Sequence, residues 1–221
     1  MRRANLKRTK VVLYGASGHG RVVADILRTR QDIEHVGYVD DDRAKMQILV
    51  GQKPVFGNAG VLARLFESGV RAAIVTIGEN ATRERKATIL QELGFELEVA
   101  IHPDTTIVPG TTIGAGTVIM AGVVINPGAK IGRNVILNTG ATVDHDCTLE
   151  DAVHLSPGVH LGGSVWIGRR VHVGIGANII QGIRVGDESI VGAGAVVIRN
   201  VDIGQTVVGN PARELYVTSR S

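Results

Sequence analysis

With 221 residues and 44% apolar composition, the chain is long enough for two hydrophobic cores, whereas its 3% aromatic content is unusually low. The net charge of +3 is a terminal effect: Arg2, Arg3, Lys7, Arg8 and Lys10 supply five positive charges, and the other 19 basic residues face 21 acidic ones. A chain without a basic face or aromatic platforms is a poor candidate for nucleic-acid binding, and no apolar run approaches a membrane span or a secretory leader. A single cysteine, Cys147, permits no internal disulfide, so a soluble cytoplasmic protein is expected.

After a basic tail over residues 1–9, residues 10–100 alternate strand and helix. Residues 10–14 form an apolar strand, and Gly15-Ala16-Ser17-Gly18-His19-Gly20 a glycine-rich turn. A helix over 21–28 follows, with Val22, Val23, Ile26 and Leu27 on its inner side. A second strand, 35–39, ends at Asp40-Asp41-Asp42, and then come a helix near 59–67, a strand 72–77, a helix near 82–93 and a strand 96–101. This order implies a small parallel sheet of Rossmann-like topology, an α/β N-terminal domain.

Glycines at Gly15, Gly18 and Gly20 let the backbone approach a phosphate, and the next helix offers free N–H groups to it. The same glycines also suit a plain tight turn that packs helix on sheet. Their Gly-x-x-Gly-x-Gly spacing departs from the dinucleotide fingerprint, which disfavours NAD. Asp40 and Asp41 stand where such sheets meet ribose or base hydroxyls, and Gly78-Glu79-Asn80 opens onto the same crevice.

From Ile101 to Ile203 a branched aliphatic residue returns at every sixth position: Ile101, Ile107, Ile113, Ile119, Ile125, Ile131, Leu137 and onward through Val197 and Ile203. Four places after each stands a small or β-branched residue such as Thr117, Val123, Ala129 or Cys147. This period fits neither a helix nor plain alternation; it fits short strands joined by corners in a repeating coil, with one large and one small residue inward per hexad. Gly114, Gly116, Gly122, Gly128, Gly162, Gly163 and Gly174 read as the tight corners. Residues 101–209 therefore form an all-β parallel β-helix, with a tail over 210–221. All three Phe precede it, as a narrow interior requires.

These hexads resemble the hexapeptide-repeat acyltransferases, and the resemblance implies a left-handed coil of eighteen residues per turn. The glycine-rich turn at Tyr14 to Gly20, the small α/β domain and the hexads together resemble the bacterial nucleotide-sugar acyltransferases of glycan and lipopolysaccharide synthesis. The related sialic acid O-acetyltransferases are similar too. The resemblance implies a homotrimer with acetyl-CoA, the co-substrate, at subunit interfaces, and a nucleotide-linked amino sugar held by the front domain. Gly15, Ser17, Gly18, His19, Asp40, Asp41, Gly78 and Asn138 are then the substrate-binding candidates. His154, Ile175, Gly192 and Ala193 are the candidates along acetyl-CoA, and no metal is implied.

Within the coil, Asp144-His145-Asp146 places an imidazole between two carboxylates. Such a neighbour fixes the His tautomer and raises its basicity, as a general base requires, although an exposed triplet of this kind also occurs as surface decoration. The resemblance implies that His145 is catalytic and favours Asp146 over Asp144 as its orienter. His154 and His172, eighteen apart, should stack in successive coils, with His160 on the next edge; a zinc set of the γ-class carbonic anhydrase kind lacks a clear third ligand. Cys147 falls on an inward position and reads as a packed thiol rather than a nucleophile. Pro211 should end the coil, and Arg213 is either a contact to a CoA phosphate or a surface residue.

The reading that follows is an acetyl-CoA-dependent N-acetyltransferase acting on a nucleotide-linked amino sugar. A sugar O-acetyltransferase and a non-catalytic trimeric scaffold are its rivals.

Overall fold

The computed structural model describes residues 8–46 and 48–215, so residues 1–7 and 216–221 of the expected tails lie outside it. The chain forms two compact units, one ending at Pro103 and one starting at Asp104.

In the first unit, β1 (Thr9–Tyr14), β2 (Ile33–Val39), β5 (Ala72–Val75) and β6 (Glu96–Leu97) make one parallel sheet in the order β2-β1-β5-β6, and β3 (Leu49–Val50) with β4 (Lys53–Pro54) forms a small antiparallel pair. The central strand β1 is apolar because helices cover both faces; Val11, Val12 and Leu13 are fully buried. Helix α1 (Gly18–Arg28) buries Gly20, Val23, Ala24, Ile26 and Leu27. Val22 departs from expectation: it is 43% exposed, because the stripe running through 20, 23, 24 and 27 leaves position 22 on the far side of a 3.6-residue helix. Helix α2 spans Leu62–Glu67. Helix α3 (Asn80–Glu92) starts two residues earlier than its apolar pattern indicates, because the Glu79 carboxylate accepts the N–H groups of Ala81 and Thr82.

The order β2-β1-β5 makes β1 the switch point of the sheet. Chains leave it in opposite directions at the carboxyl ends of β1 and its two neighbours, which opens a crevice there.

The second unit is a parallel β-helix of about six turns. Two-residue strands return every six residues on three faces, and each pairs with the strand eighteen residues on: Ile119 with Leu137, Leu137 with Leu155, Leu155 with Val173 and Val173 with Val191. The small series is inward as well, with Thr117, Val123, Val135, Ala141, Cys147 and Val153 at 0% exposure. Each buried branched aliphatic contributes roughly 1.5–3 kcal/mol.

The corner glycines divide into two kinds. One residue per hexad takes a left-handed conformation; Gly116, Gly122 and Gly128 do so at φ of +76°, +72° and +77°, and Asn134, Asp146 and Ser164 occupy the same step at +53°, +58° and +58°. Gly114, Gly162 and Gly174 have no such φ and are required by close approach instead: a Cβ there would stand 2.5–2.8 Å from the backbone of Gly132, Gln181 or Ala193 and Gly192 in the next coil.

The hexad register ends before the sequence period does. Ile190 pairs with Thr206 and Val191 with Val207, sixteen residues apart instead of eighteen. The segment after Val197 is therefore two residues short, Val201 and Val207 take the inward places, and Ile203, expected inside, is 75% exposed. Ile101, Ile107 and Ile113, at the start of the series, are only half-buried.

Candidate active site

The first unit holds a cleft of about 440 Å³ at its switch point, lined by residues that include Gly15, Ser17, Asp40, Asp41 and Gly78. The turn after β1 is shaped by close packing. Gly15 has φ +123°, a Cβ there would stand 2.7 Å from the Thr76 carbonyl oxygen, and the Thr76 hydroxyl donates to the Gly15 carbonyl at 2.7 Å. Asp40 is committed to the scaffold: its Oδ2 accepts the Ala16 N–H at 2.7 Å and Lys45 Nζ at 3.1 Å, and its Oδ1 accepts the Asp42 N–H at 2.9 Å. Burial raises its pKa, but these donors outweigh that effect and hold it below the ordinary carboxylate value. Asp41 accepts from the Tyr14 hydroxyl at 2.9 Å and from Lys86 Nζ at 2.6 Å, and the Lys86 ammonium lies 4.9 Å from the Tyr14 ring centre.

Of the other candidates here, Gly18 lines a neighbouring depression with Ser17 and Arg21, outside this cleft. His19 is largely buried, and burial, followed by the Arg83 charge, lowers its pKa to about 4. Sequence reasoning overlooked Lys45, Arg85 and Lys86, the cations of the cleft. It also overlooked Arg83, 1% exposed, which donates to the carbonyls of Ile77 and Gly78 and to Asn80 Oδ1, bracing the loop after β5.

In the second unit, His145 and Asp146 occupy one edge of the prism. His145 Nδ1 lies 2.9 Å from Asp146 Oδ2, while Asp144 turns away to accept the His145 N–H and Asn126 Nδ2, both at 2.8 Å. The Asp146 hydrogen bond, then the Asp144 charge, raise the His145 pKa above the ordinary imidazole value. The imidazole rests over Gly163 of the following coil, and the Asp146 carboxylate over Gly128 of the preceding one.

Asn138, Ile175, Gly192 and Ala193 gather on a different edge, separated from the first by the face that carries Thr142–Val143 and His160–Leu161. Ile175 is 62% exposed there. His154 lies on the strand leading to that edge and stacks edge-on against His172, with centroids 4.8 Å apart, as their spacing implied. His172 Nε2 is 3.3 Å from the Ser156 hydroxyl, and His160 Nδ1 is 2.9 Å from the Thr142 hydroxyl. Among the described residues, no group of three His, Cys, Asp or Glu is arranged to hold a metal ion, and no helix is long and apolar enough to cross a membrane.

Residues 10–90 match the family described as the PglD N-terminal domain, residues 110–145 the bacterial transferase hexapeptide (six repeats), and residues 164–199 the hexapeptide repeat of succinyl-transferase. A histidine-to-alanine variant of GDP-perosamine N-acetyl transferase from Caulobacter crescentus, solved with CoA and GDP-perosamine, is 37% identical. It superposes with a TM-score of 0.91 over 97% of this chain and 100% of that one. The chain belongs to the hexapeptide-repeat nucleotide-sugar acyltransferases with a PglD-type front domain.

Within this acyltransferase family, the acetyltransferase domain of PglB from Neisseria gonorrhoeae, solved with acetyl coenzyme A, is 39% identical with a TM-score of 0.87, covering 94% of this chain and 100% of that one. WeeI from Acinetobacter baumannii is 29% identical with a TM-score of 0.85, over 94% and 100%. No curated protein sequence matches. Membership gives the coil its left hand. For an acyltransferase of this kind the neighbours of His145 were legible in principle, since Asn126, Gly128 and Gly163 lie one eighteen-residue turn from Asp144, Asp146 and His145.

Proposed function

We propose that this acyltransferase moves the acetyl group of acetyl-CoA onto the amino group, at C4, of a nucleotide-linked amino sugar, with His145 as general base. The observation that carries the reading is the bond from His145 Nδ1 to Asp146, which fixes the tautomer and leaves Nε2 as the ring nitrogen that takes a proton. The amine nitrogen attacks the thioester carbonyl carbon and Nε2 accepts the proton it sheds. Backbone N–H groups stabilise the oxyanion, which collapses as the C–S bond breaks. The CoA thiolate leaves with the proton returned by His145, and no acyl-enzyme forms.

The relatives support this division of labour. The Caulobacter enzyme is named for N-acetylation of GDP-perosamine and was solved with CoA and that sugar nucleotide, once with a histidine changed to alanine and once to asparagine. We assign residues 10–100 to the nucleotide sugar. The cleft cations Lys45, Arg85 and Lys86 meet its diphosphate, Gly15, Ser17, Asp40, Asp41 and Gly78 line that subsite, and Gly18 and His19 hold the turn beside it. Residues 101–209 take acetyl-CoA along the edge with His154, Ile175, Gly192 and Ala193, and Asn138 contacts the sugar. One chain carries the base and this edge on different corners, so a homotrimer that sets one subunit's edge beside the next subunit's His145 completes the site.

The deciding experiment measures thiol release from acetyl-CoA with GDP-, UDP- and dTDP-linked 4-amino sugars and their 4-hydroxy counterparts. His145→Ala is expected to lower kcat by about 10²–10⁴-fold with ligand binding kept. Unchanged turnover in that variant removes the base, and acetylation of the hydroxy sugars alone turns the reading into O-acetylation.

A further inference from the structure

The His145–Asp146 pair sits between two glycines, one a coil after the imidazole and the other a coil before the carboxylate. Gly163 is eighteen residues after His145, so the 18-residue pitch brings it beside the imidazole on the same edge. A Cβ at Gly163 would meet His145 Nε2 first, the nitrogen read as the proton acceptor, and would stand 2.5 Å from Cε1 and 3.1 Å from Cδ2, so its three nearest neighbours would all be atoms of that ring. Gly128 is eighteen residues before Asp146, and a Cβ there would run into Asp146 Oδ1. The imidazole therefore leans toward the following coil and the carboxylate toward the preceding one, while Nδ1 and Oδ2 keep 2.9 Å between them.

The two glycines are not equivalent. Gly128 has φ +77°, a left-handed conformation for which glycine is the easy choice whatever lies nearby. Gly163 has no left-handed φ, so the backbone alone does not require glycine there. Its neighbour Gly162 is different again: a Cβ at Gly162 would stand 2.7 Å from the Gln181 backbone nitrogen, which cannot move without the coil. Of these three, Gly163 alone combines a backbone conformation open to any residue with neighbours that are all side-chain atoms.

We infer that Gly163 is a positioning residue for the transfer reaction: its bare Cα is the seat that holds the His145 imidazole in line with Asp146. The inference rests on the reading of His145 as base. A methyl group at 163 meets the far end of a side chain that can rotate, so the coil yields little and the ring gives way. The ring swings off its seat and loses its carboxylate. The substitution is thus expected to damage the reaction far more than the fold.

Gly163→Ala tests this in the full-length protein. Turnover with acetyl-CoA and an amino-sugar nucleotide should fall between tenfold and about 100-fold, the scale of an ångström-sized misplacement, with KM for acetyl-CoA near wild type. The acidic limb of the kcat/KM profile should move to lower pH, because the ring no longer has Asp146 to raise its basicity; a purely structural defect would lower the whole profile without moving the limb. His145→Ala separates the two claims. If it abolishes turnover while Gly163→Ala keeps the wild-type rate and limb, the seat is refuted and the base stands. If His145→Ala leaves turnover intact, the base itself is refuted. Melting temperatures give a readout independent of activity: the loss caused by Gly163→Ala should shrink in the His145→Ala background, where the methyl has nothing to meet. An equal loss in both backgrounds overturns the inference.

Discussion

His145 and Asp146 are adjacent in the chain, yet the carboxylate of the second reaches back to Nδ1 of the first at 2.9 Å. Adjacent side chains in an extended strand point apart, and this pair converges because Asp146 takes φ +58° at the left-handed step of a coil corner. Aspartate tolerates that conformation better than most residues. The corner thus meets two needs at one position, the turn of the backbone and the orientation of the ring.

Asp146→Asn keeps the shape of the side chain and removes its charge. The folded-state pKa of His145 is raised mainly by this hydrogen bond, so the wild-type activity should be lost, on acidification, at a pH above the ordinary imidazole value of about 6.5. In the variant the limb should move down in pH while the plateau falls by about tenfold or more. A limb that stays in place would mean that Asp146 does not face the base during turnover.

Buried histidines should make the first unit sensitive to acid. His19 and His35 both have pKa values lowered to about 4, chiefly by burial. In the unfolded chain each binds a proton near pH 6.5. Between those values the unfolded state holds protons that the folded state refuses, so stability is complete above about pH 6.5 and declines as the pH falls toward 4. His19→Gln should flatten the slope of melting temperature between pH 7 and pH 5; an unaltered slope would exclude His19 as its source.

Cys147 is fully buried, its thiol donates to the Gly162 carbonyl at 3.2 Å, and burial raises its pKa. It should react with a disulfide reagent such as DTNB only at the rate of unfolding. Cys147→Ala should lose roughly 1–3 kcal/mol of stability and keep its turnover. Inactivation by modification of the folded protein would contradict both.

Gly114→Ala should weaken the coil itself. Its Cβ would stand 2.5 Å from the Gly132 carbonyl carbon and oxygen, atoms of the adjacent rung that have no rotamer to change. Overpacking of this kind costs roughly 1–3 kcal/mol, visible as a fall in melting temperature. A neutral effect would show that successive rungs separate easily.

Lys86→Met should weaken nucleotide-sugar binding, raising KM for that substrate by roughly tenfold at nearly constant kcat, as loss of one charge-assisted contact predicts. Lys86 already pairs with Asp41 at 2.6 Å, so a large fall in kcat instead would point to a role beyond binding.

The coil was legible because its period is set by geometry at nearly every turn, and both inward series from Thr117 to Val197 occupy the places the hexads indicate. What the period hid was its ending: Ile203 continues the sequence rhythm after the backbone has abandoned it, since an apolar residue at the right spacing does not disclose a shortened loop. In the first unit the strands and the glycine turn were readable, and Val22 was misassigned because a stripe of four apolar residues does not state its own centre. The Asp-His-Asp triplet was visible as chemistry. Which carboxylate turns to the ring depends on a single backbone angle, and the sequence alone carries no sign of it.

The shortened last lap also shapes the C-terminal edge of the coil. Arg213–Glu214 runs antiparallel along the last strand of one face, Ala212 and Gly209 close the backbone of Val196 on the second, and Val201 bridges Val185 on the third. Each ladder therefore ends on a different kind of edge, one antiparallel, one closed by loop backbone and one reduced to a single bridge. The coil thus finishes in three unlike pieces of backbone, a poorer template for a further strand than three matched two-residue rungs would be.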